Sequence, residues 1–240
     1  MTKKYGLIGK KLSHSFSPAY FSKKFADESL LDHRYTIYEL DHIEEVTKVL
    51  ADELAGANVT IPYKKAILPY LHKLDKAAAT IGAVNCIVNK NGQYTGFNTD
   101  WLGFSQSLLE FIGNQRPDAL VLGNGGASKA ICYALDCLKI NYTVVSRSAN
   151  GLRYEDLTLS MISANHLIIN TTPLGMFPFV DEFPQIPYGG IDDQHFVYDL
   201  IYNPEKTLFL ALSADRGAKI QNGYPMLVYQ AEESWKLWNS

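Results

Sequence analysis

The chain has 240 residues, room for one large or two modest domains, each with a real core. Apolar residues make up 47% and charged residues 20%, the make-up of an ordinary soluble globular protein. The formal net charge of -3 and the lack of any basic run argue against a nucleic-acid partner, and no apolar stretch reaches membrane length.

The first hundred residues alternate strands and helices. Residues 5–9 read as a short strand. Ser17-Pro18 then opens a helix, with serine as N-cap and proline at the first helical position. Residues 35–40 form a second strand by their alternation, and Ile43, Val46, Val49, Leu50 and Leu54 have helical spacing over 43–54. Residues 56–60 are a third strand, and Pro62 opens a helix over 62–71. Residues 85–88 and 94–97 flank Asn91-Gly92, the strongest short-range hairpin signal. This half reads as a mixed sheet with helices, closed by an antiparallel hairpin.

Residues 100–112 read as a connecting helix, followed by the polar linker 113–117. A strand over 119–122, a glycine turn, a helix to about Lys139 and a strand over 142–145 make a βαβ unit. Further strands are expected at 166–170 and 196–200, and such alternation predicts a parallel, doubly wound sheet. Residues 177–194, rich in Pro, Gly and acidic side chains, read as a surface loop, and 225–238 have helical spacing. Cys86, Cys132 and Cys137 form no C-x-x-C pair, the usage of a reduced, cytoplasmic protein; Cys132 and Cys137 share one predicted helix and read as core. The start of the chain is too short an apolar run for a secretory leader. The six histidines lack ligand spacing, which argues against a metal site.

Three features carry chemistry. In Asn58-Val59-Thr60-Ile61-Pro62-Tyr63-Lys64 a lysine follows an extended polar segment. Asn98-Thr99-Asp100 supplies a carboxylate, and Gly123-Asn124-Gly125-Gly126-Ala127-Ser128 lies between a buried strand and a helix. In that loop Gly123 permits the tight turn, Gly125 lets backbone amides approach a pyrophosphate, and Ser128 is small enough for close helix–strand packing. A glycine turn in any α/β fold would look similar, but the second strand ends suitably, at Ser146-Arg147-Ser148. No acidic residue stands there to hold a ribose 2′-hydroxyl; an arginine between two hydroxyls suits a 2′-phosphate, though a solvated surface arginine is the plainer reading. Lysine, aspartate and a dinucleotide loop together suggest hydride transfer at an alcohol carbon, with proton transfer by a side chain. Lys64 in the first turn of a helix would be disfavoured by the dipole, a misfit that favours function. Asp100 is equally suited to capping a helix.

With these go His14-Ser15-Phe16-Ser17-Pro18, Gly82-Ala83-Val84-Asn85, Asn170-Thr171-Thr172-Pro173-Leu174-Gly175-Met176, Asp199-Leu200-Ile201-Tyr202-Asn203-Pro204 and the closing Asn222-Gly223-Tyr224-Pro225-Met226-Leu227-Val228-Tyr229-Gln230-Ala231. In this order, over almost its whole length, the chain resembles the shikimate dehydrogenase family. The resemblance implies an α/β protein of two domains with a cleft between them. Residues 1–100, with a C-terminal helix 224–240 returning to them, would bind substrate; 101–223 would form a Rossmann-like, doubly wound domain for NADP. It implies that Lys64 and Asp100 are catalytic. Ser15 and Ser17 would hold the substrate carboxylate, and Asn58, Thr60, Asn85, Tyr202 and Gln230 would make further substrate contacts. The cofactor would meet Gly123, Asn124, Gly125, Gly126, Ala127, Ser128, Ser146, Arg147, Ser148, Asn170, Thr171, Thr172 and Gly223.

The implied activity is reversible reduction of 3-dehydroshikimate to shikimate with NADPH, in a cytoplasmic monomer or homodimer whose partners are small molecules. The alternatives are a quinate/shikimate dehydrogenase with broader cofactor use, or a non-catalytic ligand-binding module on the same fold. The chain departs from the family pattern at Asn124, where alanine is common, and at Ser146, where asparagine often stands. The second basic residue is displaced to Arg153. His14 reads as structural.

Overall fold

The computed structural model describes residues 2–13, 15–148 and 151–240, so His14 lies outside the described residues. Two compact units share the chain: residues up to Thr99 together with Gln230–Ser240, and Asp100–Tyr229.

In the first unit six strands among the described residues form one sheet: β1 (Lys3–Gly9), β2 (His33–Glu39), β3 (Gly56–Val59), β4 (Lys73–Leu74), β5 (Cys86–Lys90) and β6 (Gln93–Phe97), in the order β2-β1-β3-β5-β6-β4. β1 runs parallel to β2 and β3, whereas β5 runs antiparallel to β3 and β6. The β5–β6 turn has Asn91 at φ 54° and Gly92 at φ 81°, the two positive values that a two-residue hairpin of right-handed twist demands. β4, only two residues long, carries no periodicity by which a sequence could announce it.

The helices of this unit are α1 (Phe16–Asp27), α2 (Val46–Leu50), α3 (Tyr63–Ala66) and α4 (Lys76–Ile81), and three of the predicted boundaries are corrected. α1 starts before Ser17-Pro18: Ser15 holds the N-cap position and Ser17 sits buried inside the first turn. Pro18 is tolerated there because first-turn N–H groups have no intrahelical partner, and Phe16 stacks on Tyr20 one turn ahead. The helix expected over 43–54 is a 3-10 turn, Ile43–Glu45, followed by the short α2, and the chain leaves helical geometry by Glu53 at φ 53°. The helix expected over 62–71 is the single turn α3, with Pro62 as its N-cap residue, then a 3-10 turn at Leu68–Tyr70. Pro69 has no N–H to donate and disfavours helical geometry in the residue before it. With one turn of aligned peptides there is little dipole, so the dipole argument for Lys64 lapses.

In the second unit β7 (Ala119–Leu122), β8 (Tyr142–Val145), β9 (Leu167–Asn170), β10 (Phe196–Asp199) and β11 (Lys219–Gln221) form an all-parallel sheet ordered β11-β10-β9-β7-β8. Its helices are α5 (Asp100–Ile112), α6 (Gly126–Leu138), α7 (Leu159–Ala164), α8 (Leu208–Ala214) and the start of α9 (Tyr224–Trp238). Along the strands the side chains alternate between two cores. Ala119, Val121, Leu167, Ile169, Phe196 and Tyr198 join Phe104, Leu108, Ile131 and Leu135. Leu120, Leu122, Ile168 and Val197 join Ile162, Phe209 and Leu210. Both faces are therefore covered, the doubly wound arrangement that the alternation predicted.

The segment 177–194 is only partly the expected surface loop. Phe177 and Phe179 are exposed, but Ile186 and Ile191 are buried in the second core. Of the cysteines read as core, Cys137 is exposed and Cys132 half-buried. Cys86 is buried, and burial pushes its thiol up to about 12, so it stays protonated and inert. No helix among the described residues is long and apolar enough to cross a membrane.

Candidate functional site

In the first unit a polar cluster lies where apolar side chains would be expected. Asn58, Asn85, Thr99, Gln230 and Ser234 are all buried. Asn58 belongs to β3, Asn85 directly precedes β5, Thr99 follows β6, and the last two are one turn apart on α9. A buried polar group must find a partner, and each of these does. The Asn85 amide nitrogen donates to Thr99 Oγ1 (3.0 Å) and Gln230 Oε1 (3.3 Å), while its oxygen accepts from Thr99 N (2.6 Å). Asn58 Nδ2 donates to the Asn85 carbonyl (3.2 Å) and to Ser234 Oγ (3.0 Å). Ser234 Oγ donates to the Gln230 carbonyl (2.9 Å), so its contact with Thr99 Oγ1 (3.2 Å) takes the threonine's proton.

The cluster extends to α1. The Tyr35 phenol donates to Asn58 Oδ1 (2.8 Å) and is hydrogen-bonded by Ser17. Burial pushes this phenol well above its ordinary value, so it remains a donor at any working pH. Three predicted residues on three elements, Ser17, Asn58 and Gln230, are thus joined through Tyr35 and Ser234, neither of which stands in a sequence motif. Ser234 carries one usable signal: it stands four residues after Gln230 on a helix, hence on the same face.

The other predicted residues of this unit border the cluster. Ser15 is half-buried, and its side chain makes no capping bond. Thr60 anchors its N–H on Ile8 O (2.9 Å), and its methyl lies where a side chain at Gly9 would be. Lys64 is half-buried, and its carbonyl accepts from Val84 N (2.8 Å), next to Asn85. Asp100, in the second unit, directly follows the pinned Thr99 and opens α5, where a carboxylate favours the helix dipole.

The second unit presents three turns at the carboxyl ends of β7, β9 and β10, with β8 ending beside β7. The strand order reverses between β7 and β9, the position at which open parallel sheets bind ligands. Gly123 has φ 107°, and an added Cβ would overlap Thr171 and Thr172, so the turn admits only glycine. Gly125 is the N-cap residue of α6 and Gly126 its first; beside both lies open space. Asn124 and Ala127 are exposed, and Ser128 is buried in the first turn, as close packing requires. Asn124 Nδ2 reaches Ser148 Oγ (3.3 Å), which meets Ser146 Oγ (2.9 Å), so the glycine turn and the β8 end form one polar rim. Arg147 is exposed on that rim. Arg153 is engaged elsewhere, with Glu155 (2.6 Å) and Asp156 (3.5 Å).

At the β9 end Thr171 Oγ1 donates to Leu122 O (2.7 Å), and the Asn170 amide oxygen accepts from Thr172 N (3.0 Å) and Thr172 Oγ1 (2.6 Å). At the β10 end Asp199 accepts from Asn170 Nδ2 (3.0 Å), Ile201 N (3.0 Å) and Thr207 Oγ1 (2.6 Å). Tyr202 is half-buried. Gly223 is buried, and an added Cβ would collide with the Leu200 backbone. No group of three metal-ligating side chains occurs among the described residues.

Comparison with known proteins gives concordant findings. Residues 7–87 match the family model described as the shikimate dehydrogenase substrate binding domain. The NADP-dependent shikimate dehydrogenase of Desulforamulus reducens is 37% identical over 258 residues, covering 97% of this chain and 88% of that protein. The crystal structure of a Thermus thermophilus shikimate 5-dehydrogenase in complex with NADP(H) and shikimate aligns with a TM-score of 0.86 at 30% identity, covering 99% and 92% of the two chains. A quinate dehydrogenase of Corynebacterium glutamicum in complex with NAD aligns with a TM-score of 0.89 at 25% identity, covering 99% and 93%.

Burial raises the Asp199 carboxyl to about 6 from its ordinary 3.8, against the pull of its three donors. The folded state therefore holds this proton more tightly than the unfolded chain does. Between about pH 4 and pH 6 the carboxylate's contribution to stability falls as pH rises, and its desolvation cost is complete above about 6; two units correspond to about 3 kcal/mol. Urea unfolding of the parent and Asp199→Asn at pH 4 and pH 7 checks this. The amide variant should gain on the parent by that order as pH rises, and a pH-independent difference would contradict the assignment.

Proposed function

The chain belongs to the shikimate dehydrogenase family, and from that membership we propose how its residues carry the reversible reduction of 3-dehydroshikimate to shikimate. It is an NADP-dependent oxidoreductase of the shikimate pathway. One observation supports the residue roles above others: the buried amide and hydroxyl cluster around Asn85, a set of fixed donors and acceptors suited to a ring bearing several hydroxyls.

The cofactor half fits NADP. The Gly123 turn leaves space where side chains at Gly125 and Gly126 would intrude, and α6 begins there with its unpaired N–H groups. Gly123, Asn124, Gly125, Gly126, Ala127 and Ser128 would take the pyrophosphate. Ser146, Arg147 and Ser148 would take the 2′-phosphate. Asn170, Thr171, Thr172 and Gly223 would take the nicotinamide side. When bound, NADPH supplies the hydride.

The chain's own residues do the rest. Ser15 and Ser17 hold the substrate carboxylate; Ser15 has a hydroxyl not used in capping, whereas Ser17 must turn its proton away from Tyr35 to do so. Asn58, Thr60, Asn85, Gln230 and Tyr202 hold the ring. Lys64 stabilises the developing alkoxide and gives it a proton, and Asp100 accepts a hydrogen bond that orients the lysine or the substrate hydroxyl. The partners of this reaction are small molecules, the substrate and NADP. A second reading, quinate oxidation with NAD, draws on the likeness to quinate dehydrogenase; the absence of an acidic residue at Ser146-Arg147-Ser148 weighs toward NADP.

Two substitutions separate these roles. Lys64→Ala should lower kcat by roughly 10²–10⁴-fold, with a smaller change in substrate affinity, in steady-state assays. Near-parental kcat would remove Lys64 from proton transfer. Arg147→Ala should lower kcat/KM for NADP relative to NAD by about tenfold to a hundredfold, the worth of a charge-assisted hydrogen bond. An unchanged ratio, or a parent that prefers NAD, would refute that placement.

A further inference from the structure

The turns at the carboxyl ends of β7, β9 and β11 are joined by one buried side chain at the end of β10. Asp199 is fully buried at the end of β10, and its partners are Asn170, the Ile201 backbone and Thr207. Each leads outward. Asn170, with its nitrogen held by Asp199, turns its oxygen to both donors of Thr172. Thr171 and Thr172 fill the space beside Gly123 that a side chain there would claim. Ile201, with its N–H held by Asp199, accepts from Gly223 N (3.0 Å), and Gly223 lies against the Leu200 backbone. From one carboxylate, hydrogen bonds and close packing reach the Gly123, Asn170 and Gly223 turns.

The chemistry of the position calls for an anion. Three protons converge on it, and an ionised carboxyl is the side chain that only accepts. Thr207 Oγ1 already accepts from Leu210 N at the start of α8, which directs its own proton to Asp199. An amide here would set a donor against a donor unless Thr207 reversed. All three donors are neutral, so they offset the desolvation of a buried charge only in part. For the fold alone a neutral side chain would serve better.

We propose that Asp199 is the positioning residue of the cofactor half, holding the Asn170–Thr172 and Ile201–Gly223 turns in the arrangement that receives NADP. The proposal rests on the reading that these turns bind the cofactor. Being buried, Asp199 acts through Asn170 and Ile201 rather than by contact.

The test uses the full chain and the variants Asp199→Asn, Thr207→Ala and Thr207→Ser. NADPH affinity is measured by fluorescence titration, shikimate affinity by calorimetry, and folding by circular dichroism. Asp199→Asn and Thr207→Ala should weaken NADPH binding about tenfold, while Thr207→Ser, which keeps the hydroxyl, stays within about twofold of the parent. Shikimate affinity should fall by less than NADPH affinity in Asp199→Asn and Thr207→Ala, since of the proposed substrate residues only Tyr202 adjoins the held turns, and should stay near parental in Thr207→Ser. If Asp199→Asn does not fold, the Thr207 pair decides. Folded variants with parental NADPH affinity would overturn the proposal, and so would equal losses for both ligands, which mark a merely structural role. A parent that binds no NADPH would instead overturn the cofactor reading beneath it.

Discussion

The Asn85 amide holds three separated stretches of chain together in the first unit. It fixes Thr99 through both backbone and side chain, and it fixes Gln230 on the last helix. Only a group with two donors and an acceptor in one plane can do this, and burial makes any mismatch expensive. The remaining cluster follows from it. Ser234 lies one turn beyond Gln230, takes the Asn58 amide and completes the path to Tyr35 and Ser17. Side chains that would otherwise sample many rotamers are fixed by these bonds, and in the proposed role that lets a polyol bind with little loss of freedom.

The second unit solves a related problem with a charge. On the proposed reading its loops present backbone N–H groups and small side chains to an anionic cofactor, so they cannot be held by bulky packing at their tips. They are held from beneath, by the Thr171 bond to Leu122 and by the Asp199 bonds to neighbouring turns. The neutral cluster of the first unit is paired group by group, whereas Asp199 keeps a charge that its neutral donors only partly compensate. That difference is why the carboxyl titrates near 6 while the amide cluster contributes no pH dependence.

Much of this was legible in the sequence, and the gaps have physical causes. Four strands of the second unit could be read: β7, β9 and β10 are apolar runs buried on both faces, and β8 closes the βαβ unit, whereas the three residues of β11, none of them buried, carry no such signal. The hairpin could be read because Asn91-Gly92 suits positive φ. Helix lengths around Glu53 and Pro69 were overestimated, since apolar spacing continues through residues that leave helical geometry. Ser17 has the residue type of a cap but lies inside the helix, where Phe16 stacks on Tyr20. The proposed site residues that stand in a motif, such as Lys64 and the Gly123 turn, are visible in the sequence. The parts played by Tyr35, Thr99, Ser234, Asp199 and Thr207 are not, because their roles arise from contacts between distant segments.

Hydride exchange between shikimate and NADP is the central activity. Absorbance of the reduced nicotinamide, followed with shikimate or quinate and with NADP or NAD, gives four values of kcat/KM for the unmodified chain. Shikimate with NADP should give the highest, and exchanging NADP for NAD should cost about tenfold or more. Turnover fastest with quinate and NAD, or none with any pair, would contradict the account.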